Sequence, residues 1–142
     1  MSSRRRSVFI GISVSLAVFA LARQNEIKHV PITRTSASSG HEMYATYCAA
    51  CHGKEGRGNG PAAEALKVQP SNLTALAKKN GGKYPASHVS SAITGDLEMP
   101  AHGSREMPVW GNLFLQLSQG HTSEVQMRVS NLNRYIESLQ EK

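Results

Sequence analysis

The sequence predicts a small all-α domain, and three stretches carry that prediction. Gly40, Tyr44 and Cys48 recur at steps of four, which is the spacing of one helical face. A second helix is predicted from Pro85 to Ile93, started by the proline and stopped at Gly95. The third and strongest stretch lies near the carboxy terminus. At 142 residues the chain has the length of a single domain.

The carboxy-terminal helix is predicted after Gly120. Thr122 and Ser123 provide an N-cap, and Glu124 provides an acidic residue in the first turn. Apolar residues then recur at alternating steps of four and three: Val125, Val129, Leu132, Ile136 and Leu139. Because Gly40 has no side chain, we expect the first helix to cross this one at close approach.

The first helix ends in a short motif, Cys48-Ala49-Ala50-Cys51-His52. At ~3.6 residues per turn, two thiols three residues apart lie on one face and can reach both vinyl groups of a haem. A histidine directly after the second cysteine is then held beneath the iron. This is the attachment pattern of a c-type haem, and the chain has no cysteine outside it.

Three other uses of the same residues are weaker. A disulfide between Cys48 and Cys51 would satisfy the thiols, but it leaves the adjacent His52 unexplained. A thioredoxin-like dithiol lacks a surrounding βαβ pattern. A zinc site would need two further ligands at matching spacing, and the six histidines are scattered. We therefore favour covalent haem.

The amino-terminal residues 1–22 are predicted to be a secretory signal peptide. Three arginines, Arg4 to Arg6, precede an uncharged run from Ser7 to Leu21, and Ala20 and Ala22 are small residues at the usual cleavage positions. The run is shorter than the roughly 20 residues that span a bilayer. Cleavage would start the mature chain at Arg23, and an uncleaved leader would act as a membrane anchor.

Residues 23–39 lose helical periodicity and gain Ser, Thr and Pro, so we interpret them as a linker before a domain of residues 40–142. The formal charge of +6 includes the three leader arginines, and a chain from Arg23 carries 13 basic and 10 acidic residues. This excess is too small to indicate nucleic-acid binding.

Four motifs, taken in order, resemble the exported bacterial monohaem class I c-type cytochromes over roughly residues 38–142. They are Gly40-x-x-x-Tyr44-x-x-x-Cys48-x-x-Cys51-His52, Gly56-Arg57-Gly58-Asn59-Gly60-Pro61, Met107-Pro108-Val109-Trp110-Gly111 and Leu132-x-x-Tyr135-Ile136-x-x-Leu139-Gln140. The resemblance implies an all-α fold without a sheet, in which the terminal helices cross around one covalently bound haem. It also implies that the carbonyl of Pro61 accepts the Nδ1 proton of His52.

The sixth iron ligand has two candidate loops, because Glu98-Met99-Pro100-Ala101-His102-Gly103 is nearly repeated by Glu106-Met107-Pro108-Val109-Trp110-Gly111. A thioether ligand needs an apolar loop that keeps water from the iron. Only the second copy is followed by such residues, so we favour Met107, with Met99 and His102 as alternatives. Trp110 and, second, Arg57 are candidate donors to a haem propionate.

Ligation by His52 and Met107 would fill both axial positions, so the sequence predicts a one-electron carrier rather than an enzyme. It would shuttle electrons outside the cytoplasm between a dehydrogenase or respiratory complex and an oxidase. The alternatives are a haem enzyme or gas sensor with an open sixth position, and a tethered electron-entry subunit of a membrane complex. Membrane association would run through residues 7–21 if the leader is retained.

Redox partners are expected to dock on a basic stretch between residues 54 and 83. Two acidic residues, Glu55 and Glu64, oppose six basic ones, a local excess of +4. The basic residues are Lys54, Arg57, Lys67, Lys78, Lys79 and Lys83. In the class I fold the segments beside the haem motif surround the exposed haem edge, so this excess would steer the protein to an acidic partner.

Overall fold

The computed structural model describes residues 32–96 and 107–141. Within these ranges the regular structure is helical and contains no strand, which confirms the predicted all-α fold. The predicted leader and the alternative ligands Met99 and His102 lie outside the described residues. The α-helices are α1 Gly40–Met43, α2 Ala49–His52, α3 Leu76–Lys79, α4 Ala86–Thr94, α5 Trp110–Leu117 and α6 Thr122–Ser138.

One π-helical turn, which is wider than an α-helix, and two 3₁₀ turns, which are tighter, complete the helical structure. A π-helical turn, Tyr44–Cys48, joins α1 to α2, so the predicted first helix is continuous but not uniformly α-helical. Two 3₁₀ turns, Ala63–Ala65 and Leu73–Ala75, lie between α2 and α3.

Helix α1 packs against α6 through Gly40. A Cβ at this position would overlap the backbone carbonyl of Asn131 and would lie 2.8 Å from the Cβ of Tyr135. The predicted close approach of the two helices is therefore confirmed. Ser39 caps α1, since its side chain accepts a hydrogen bond from the Glu42 N–H.

The core lies between these two helices and α5. Its most completely buried side chains are Met43, Tyr44, Phe114 and Leu132, each at most 1% exposed. The predicted α6 stripe faces this core, because Val129, Leu132 and Ile136 are buried while its end members, Val125 and Leu139, are partly buried and pack on them. Helix α4 is confirmed with the expected ends: Pro85 precedes it and Gly95 follows it with a left-handed φ of 84°.

The structure corrects the expected loop after Met107. Residues from Trp110 onward form α5, because Trp110, Phe114 and Leu117 recur at steps of four and three and bring one apolar face to the core. Phe114 is fully buried, whereas Leu115 on the opposite side is 40% exposed.

The structure also corrects the second half of the predicted linker. The Tyr47 hydroxyl donates to the Thr33 carbonyl at 2.7 Å, and the Asn131 side-chain amide donates to the Ala37 carbonyl at 2.9 Å. Residues 33–39 are thus attached to the helices by hydrogen bonds, although their composition is that of a linker.

Arg128, a buried residue of α6, also binds residues 33–39, and the sequence did not predict this contact. Its guanidinium donates to the Thr35 carbonyl at 3.0 Å and pairs with Glu124 at 2.7 Å, one turn earlier on the helix. Only 5% of Arg128 is exposed. A buried guanidinium is tolerated because these partners, together with the Ser118 hydroxyl, satisfy its donors.

Candidate haem-attachment site

The two cysteines lie on the continuous helical segment that runs through the π-helical turn into α2. Ala49 N–H donates to the Tyr44 carbonyl, five residues back, which is the wider turn that defines the π conformation. The Tyr44 hydroxyl donates to the Gly53 carbonyl at 2.7 Å and so ties the two ends of the motif-bearing segment together. Both cysteines are free thiols.

The two thiols differ in their surroundings. Cys48 is buried, at 7% exposure, whereas Cys51 is partly exposed. Burial raises the pKa of the Cys48 thiol to about 12, and the neighbouring Cys51 adds to the shift. Before haem is attached, burial therefore disfavours the thiolate form of Cys48.

The imidazole of His52 is held in the form that binds iron. Its Nδ1 lies 3.0 Å from the Ser71 carbonyl oxygen, and since a carbonyl only accepts, Nδ1 must carry the proton. Nε2 then bears a free lone pair and makes no hydrogen bond with the described residues. Burial lowers the pKa of His52, against the opposing effect of the Ser71 hydrogen bond, so the ring is neutral at pH 7.

The acceptor of the Nδ1 proton differs from the one that the resemblance to class I cytochromes implies, because the structure has the Ser71 carbonyl where Pro61 was expected. The residues before Pro61 fold back over α2: Gly58 N–H donates to the His52 carbonyl at 2.8 Å and Gly60 N–H to the Cys51 carbonyl at 3.0 Å. A Cβ on Gly60 would overlap the Ala50 carbonyl. This loop therefore caps the helix backbone, and the carbonyl that accepts the imidazole proton belongs to Ser71 instead.

The glycine at position 58 explains how Ser71 reaches the site. A Cβ on Gly58 would overlap the Pro70 carbonyl, so the chain around residues 70 and 71 passes directly over the glycine loop. Gly58 also has a φ of 79°, a conformation that side-chain-bearing residues rarely adopt. The glycines at positions 58 and 60 therefore let two loops come together beside His52.

Trp110 is placed beside the motif-bearing helix. Its ring centroid lies 5.2 Å from that of Tyr47, the residue before Cys48, and 6.1 Å from that of Phe114. The indole N–H makes no hydrogen bond within the described residues. The other predicted propionate donor, Arg57, instead pairs with Glu141 at 3.2 Å.

Met107 is the first residue of the described range 107–141, and 41% of it is exposed. The chain just after it is fixed against the end of α4. A Cβ on Gly95 would lie 3.0 Å from Val109 Cγ2, and one on Gly111 would lie 2.7 Å from the Thr94 carbonyl oxygen. The structure thus fixes the backbone two residues beyond Met107.

The lysines of the predicted docking stretch are all exposed and make no ion pair within the described residues: Lys54, Lys67, Lys78, Lys79 and Lys83. The sixth cation of that stretch, Arg57, is paired with Glu141, with 58% of its side chain and 40% of the glutamate side chain exposed. The pair is open to solvent and is screened by salt.

The residues present fit a haem c. Two free thiols lie at the spacing that meets two vinyl groups, and a neutral imidazole directly follows with Nδ1 satisfied and Nε2 available. Backbone glycines allow the surrounding loops to pass close by. This site defines the class of protein: it is a c-type cytochrome.

A profile of the family described as cytochrome c oxidase, cbb3-type, subunit III matches residues 35–116. The match spans more than half of the chain, and the chain belongs to this family. Comparison with curated proteins and with solved structures gave no match. Within the described residues, no helix has the length and apolar character needed to cross a membrane.

Membership fixes the cofactor and the general activity. The protein binds haem c covalently, with Cys48 and Cys51 as the thiols of the attachment motif, and its role is haem-based electron transfer. Cytochrome domains of this family are electron carriers that work outside the cytoplasm with redox partners in respiratory complexes.

Proposed function

We propose that this protein is a one-electron carrier whose haem iron is held between His52 and Met107. The observation that carries the proposal is the hydrogen bond from His52 Nδ1 to the Ser71 carbonyl, which fixes the tautomer and leaves Nε2 for iron. The haem supplies the one-electron couple. The chain supplies its attachment, its axial ligands and its shielding from water.

Met107 is proposed as the second axial ligand on two grounds. Val109 and Gly111, just beyond it, are fixed against Thr94 and Gly95, so the backbone that carries the thioether has a defined anchor. The next residues form α5, whose Trp110 packs beside the helix that carries Cys48. A thioether next to an apolar helix is suited to raise the reduction potential and to leave no open site on the iron.

Trp110 is proposed to donate its indole N–H to a haem propionate, since that donor is unused within the described residues. Trp110→Phe tests this, because it keeps a ring against Tyr47 and removes the donor. The expected result is a shift in the pH dependence of the reduction potential, which reports propionate ionisation. A profile identical to the parent's would remove Trp110 from this role.

Titration with carbon monoxide tests the carrier assignment against a haem enzyme or gas sensor. With both axial positions filled, the reduced protein should bind carbon monoxide slowly and weakly, and the ferric protein should behave likewise towards cyanide. Rapid, tight binding by the native protein would show an open or readily displaced sixth position, and the carrier assignment would then fail.

A second candidate function is a tethered electron-entry subunit of a membrane oxidase. The family to which the chain belongs is described as an oxidase subunit, which favours lasting association over free diffusion. Residues 7–21 would provide the tether if the leader is retained. Isolation from native membranes separates the two: an intact amino terminus and co-purification with an oxidase would support the subunit, whereas a free chain starting at Arg23 would support the carrier.

Docking is proposed to use the exposed lysines between residues 54 and 83. Fixed charges on the surface accelerate encounter with an acidic partner, and this acceleration falls as salt shortens the Debye length to ~10 Å. Lys78→Glu combined with Lys79→Glu should slow electron transfer to the cognate oxidase and flatten its salt dependence.

Arg134 is the matched control for this charge reversal. It is an exposed cation on α6, outside the basic stretch, and among the described residues its guanidinium donates to the Asn131 side chain, three residues earlier on the helix. Arg134→Glu should leave the rate near that of the parent. A rate that is indifferent to salt and to the lysine reversal would mean that docking is apolar.

A further inference from the structure

The last residues of the described chain lie across the loop that carries Ser71. The Gln140 side-chain Nε2 donates to the Leu73 carbonyl at 2.7 Å, and its Oε1 accepts from the Ala77 N–H at 2.8 Å. Beside it, the Glu141 N–H donates to the Thr74 carbonyl at 2.8 Å. A single amide at the end of α6 thus bridges the 3₁₀ turn Leu73–Ala75 and the first turn of α3.

The same loop is bonded on its other side to the haem motif. The Leu73 N–H donates to the Gly56 carbonyl at 2.7 Å, and two residues earlier the Ser71 carbonyl accepts from His52 Nδ1. The backbone of Leu73 is therefore held through its N–H by the glycine loop and through its carbonyl by Gln140. These two hydrogen bonds hold the backbone two residues beyond Ser71.

We propose that Gln140 is a positioning residue for the His52 imidazole: it fixes the loop whose Ser71 carbonyl orients and polarises the axial ligand. The inference rests on the proposed axial role of His52. A hydrogen bond to Nδ1 makes the imidazole a stronger electron donor and stabilises the ferric state. Loosening the loop should weaken that bond and raise the reduction potential.

The chemistry of an amide explains why this position needs glutamine. Gln140 donates to the carbonyls of Leu73 and Ile136 and accepts from the N–H of Ala77, so it uses both halves of its amide. Glutamate would keep only the acceptor, and methionine would keep the shape with neither function. The loop carbonyl at Leu73 would be left without its side-chain partner in both variants.

The experiment compares Gln140→Met with the parent in the haem-loaded, exported protein. Two quantities are measured: the hydrogen-exchange rate of the His52 Nδ1 proton by NMR, and the reduction potential. We expect exchange to become about tenfold faster, as for the loss of roughly one hydrogen bond, together with a rise in potential. Gln140→Glu, which keeps the bond to Ala77, should shift both readouts in the same direction and replaces Gln140→Met if that variant loads no haem.

Asn133→Ala is the matched control. Asn133 is also an amide of α6, but it donates to Ala86 and Ser90 of α4 and accepts from the Tyr84 hydroxyl. Its loss should lower the free energy of unfolding and leave both His52 readouts unchanged. If Gln140→Met and Gln140→Glu also change stability alone, Gln140 is merely structural and the inference fails.

Failure of the axial assignment has a different signature. If the parent shows no Nδ1 proton belonging to a haem-bound histidine, the proposed role of His52 is wrong before any variant is made. If the parent shows that proton and the Gln140 variants leave it undisturbed, the axial role stands and only the positioning role is rejected.

Discussion

The two sides of the proposed haem site are built in different ways. On the side of His52, the imidazole donates to the Ser71 carbonyl, the Leu73 N–H donates to the Gly56 carbonyl, and Gln140, just beyond α6, donates to the Leu73 carbonyl. On the side of Met107, the chain is located by the packing of Val109 and Gly111 against the end of α4. One proposed ligand is held by directional bonds, and the chain that follows the other is held by the shape of its surroundings.

This difference has a chemical reason. An imidazole has a second nitrogen whose hydrogen bond fixes the ring and tunes its basicity, so its neighbours must be placed accurately. A thioether has no such group and depends on the exclusion of water. We therefore expect changes on the His52 side to weaken the imidazole hydrogen bond and shift the reduction potential while the methionine-ligation band persists. Changes on the Met107 side should weaken or remove that band.

The largest effect is expected from replacing both Cys48 and Cys51 with alanine. The covalent bonds to haem then cannot form, and a domain with so few aromatic residues, 6% of the chain, should be poorly folded without its cofactor. Intact mass after denaturation measures this directly. Haem that stays bound in the denatured double variant would refute the attachment assignment.

Met107→Ala should have a smaller and different effect. The haem stays attached and the domain stays folded, while the long-wavelength absorption of methionine-ligated ferric haem disappears and the potential falls. Met127→Ala is the control, because this methionine lies on α6 and is 44% exposed, close to the exposure of Met107. Loss of the band in Met99→Ala, with Met107→Ala unchanged, would reverse the assignment.

A pair of glycine substitutions compares the two sides within one measurement. Gly40→Ala places a methyl group into the backbone of α6 and should lower the free energy of unfolding by about 1–3 kcal/mol. Gly111→Ala meets the Thr94 carbonyl, but alanine favours helix α5 by up to ~1 kcal/mol, which offsets part of the cost.

We expect Gly40→Ala to lower the midpoint of denaturant unfolding more than Gly111→Ala does. Gly111→Ala should instead weaken the long-wavelength band, because it shifts the backbone after Met107, where the chain packs against the end of α4. Equal losses of stability with no spectral change in either variant would show that the two sides do not differ as described.

The parts that sequence could predict are those fixed by side-chain identity and period. The haem motif, the α6 stripe, the close approach at Gly40 and the ends of α4 all follow from residue types at regular spacing. Each has a local rule behind it, such as a glycine that stops a helix or a cysteine pair three residues apart.

The parts that sequence missed depend on backbone groups or on distant partners. The group that accepts the His52 proton is a backbone carbonyl, which every residue has. Residue type alone therefore cannot show that Ser71 rather than Pro61 is the acceptor. Arg128 reads as an ordinary helix-surface cation until Thr35 and Glu124 are seen around it. The docking of residues 33–39 was missed for the same reason, because its bonds go to distant side chains such as Tyr47.

Helix α5 was not predicted from the sequence, for a different reason. Its repeat of Trp110, Phe114 and Leu117 was visible in the sequence, but these apolar residues were interpreted as a loop sealing the iron. The spacing of these residues, at steps of four and then three, could have predicted the helix, as the same spacing predicted α6.

The smallest predicted effect tests a site remote from both ligands. The hydrogen bond from Arg128 lowers the pKa of Glu124 below its usual 4.5, so the folded chain binds this proton less readily than the unfolded chain. Its contribution to stability is therefore present above pH 4.5 and is lost as the pH falls through the lower, folded value.

Glu124→Gln should make unfolding less sensitive to acid over that range and should leave the haem spectrum unchanged. Denaturant unfolding measured at several pH values checks this, with the absorption bands recorded on the same samples. A parallel loss of stability in parent and variant at every pH would show that the Arg128 pair contributes nothing to acid sensitivity.

The most direct test of the account is a visible spectrum of the protein exported by its native host, oxidised and reduced, with intact mass on the same sample. We predict one covalently bound haem per chain and, in the oxidised protein, the long-wavelength band of methionine ligation. A high-spin ferric spectrum without that band, or a mass without haem, would contradict it.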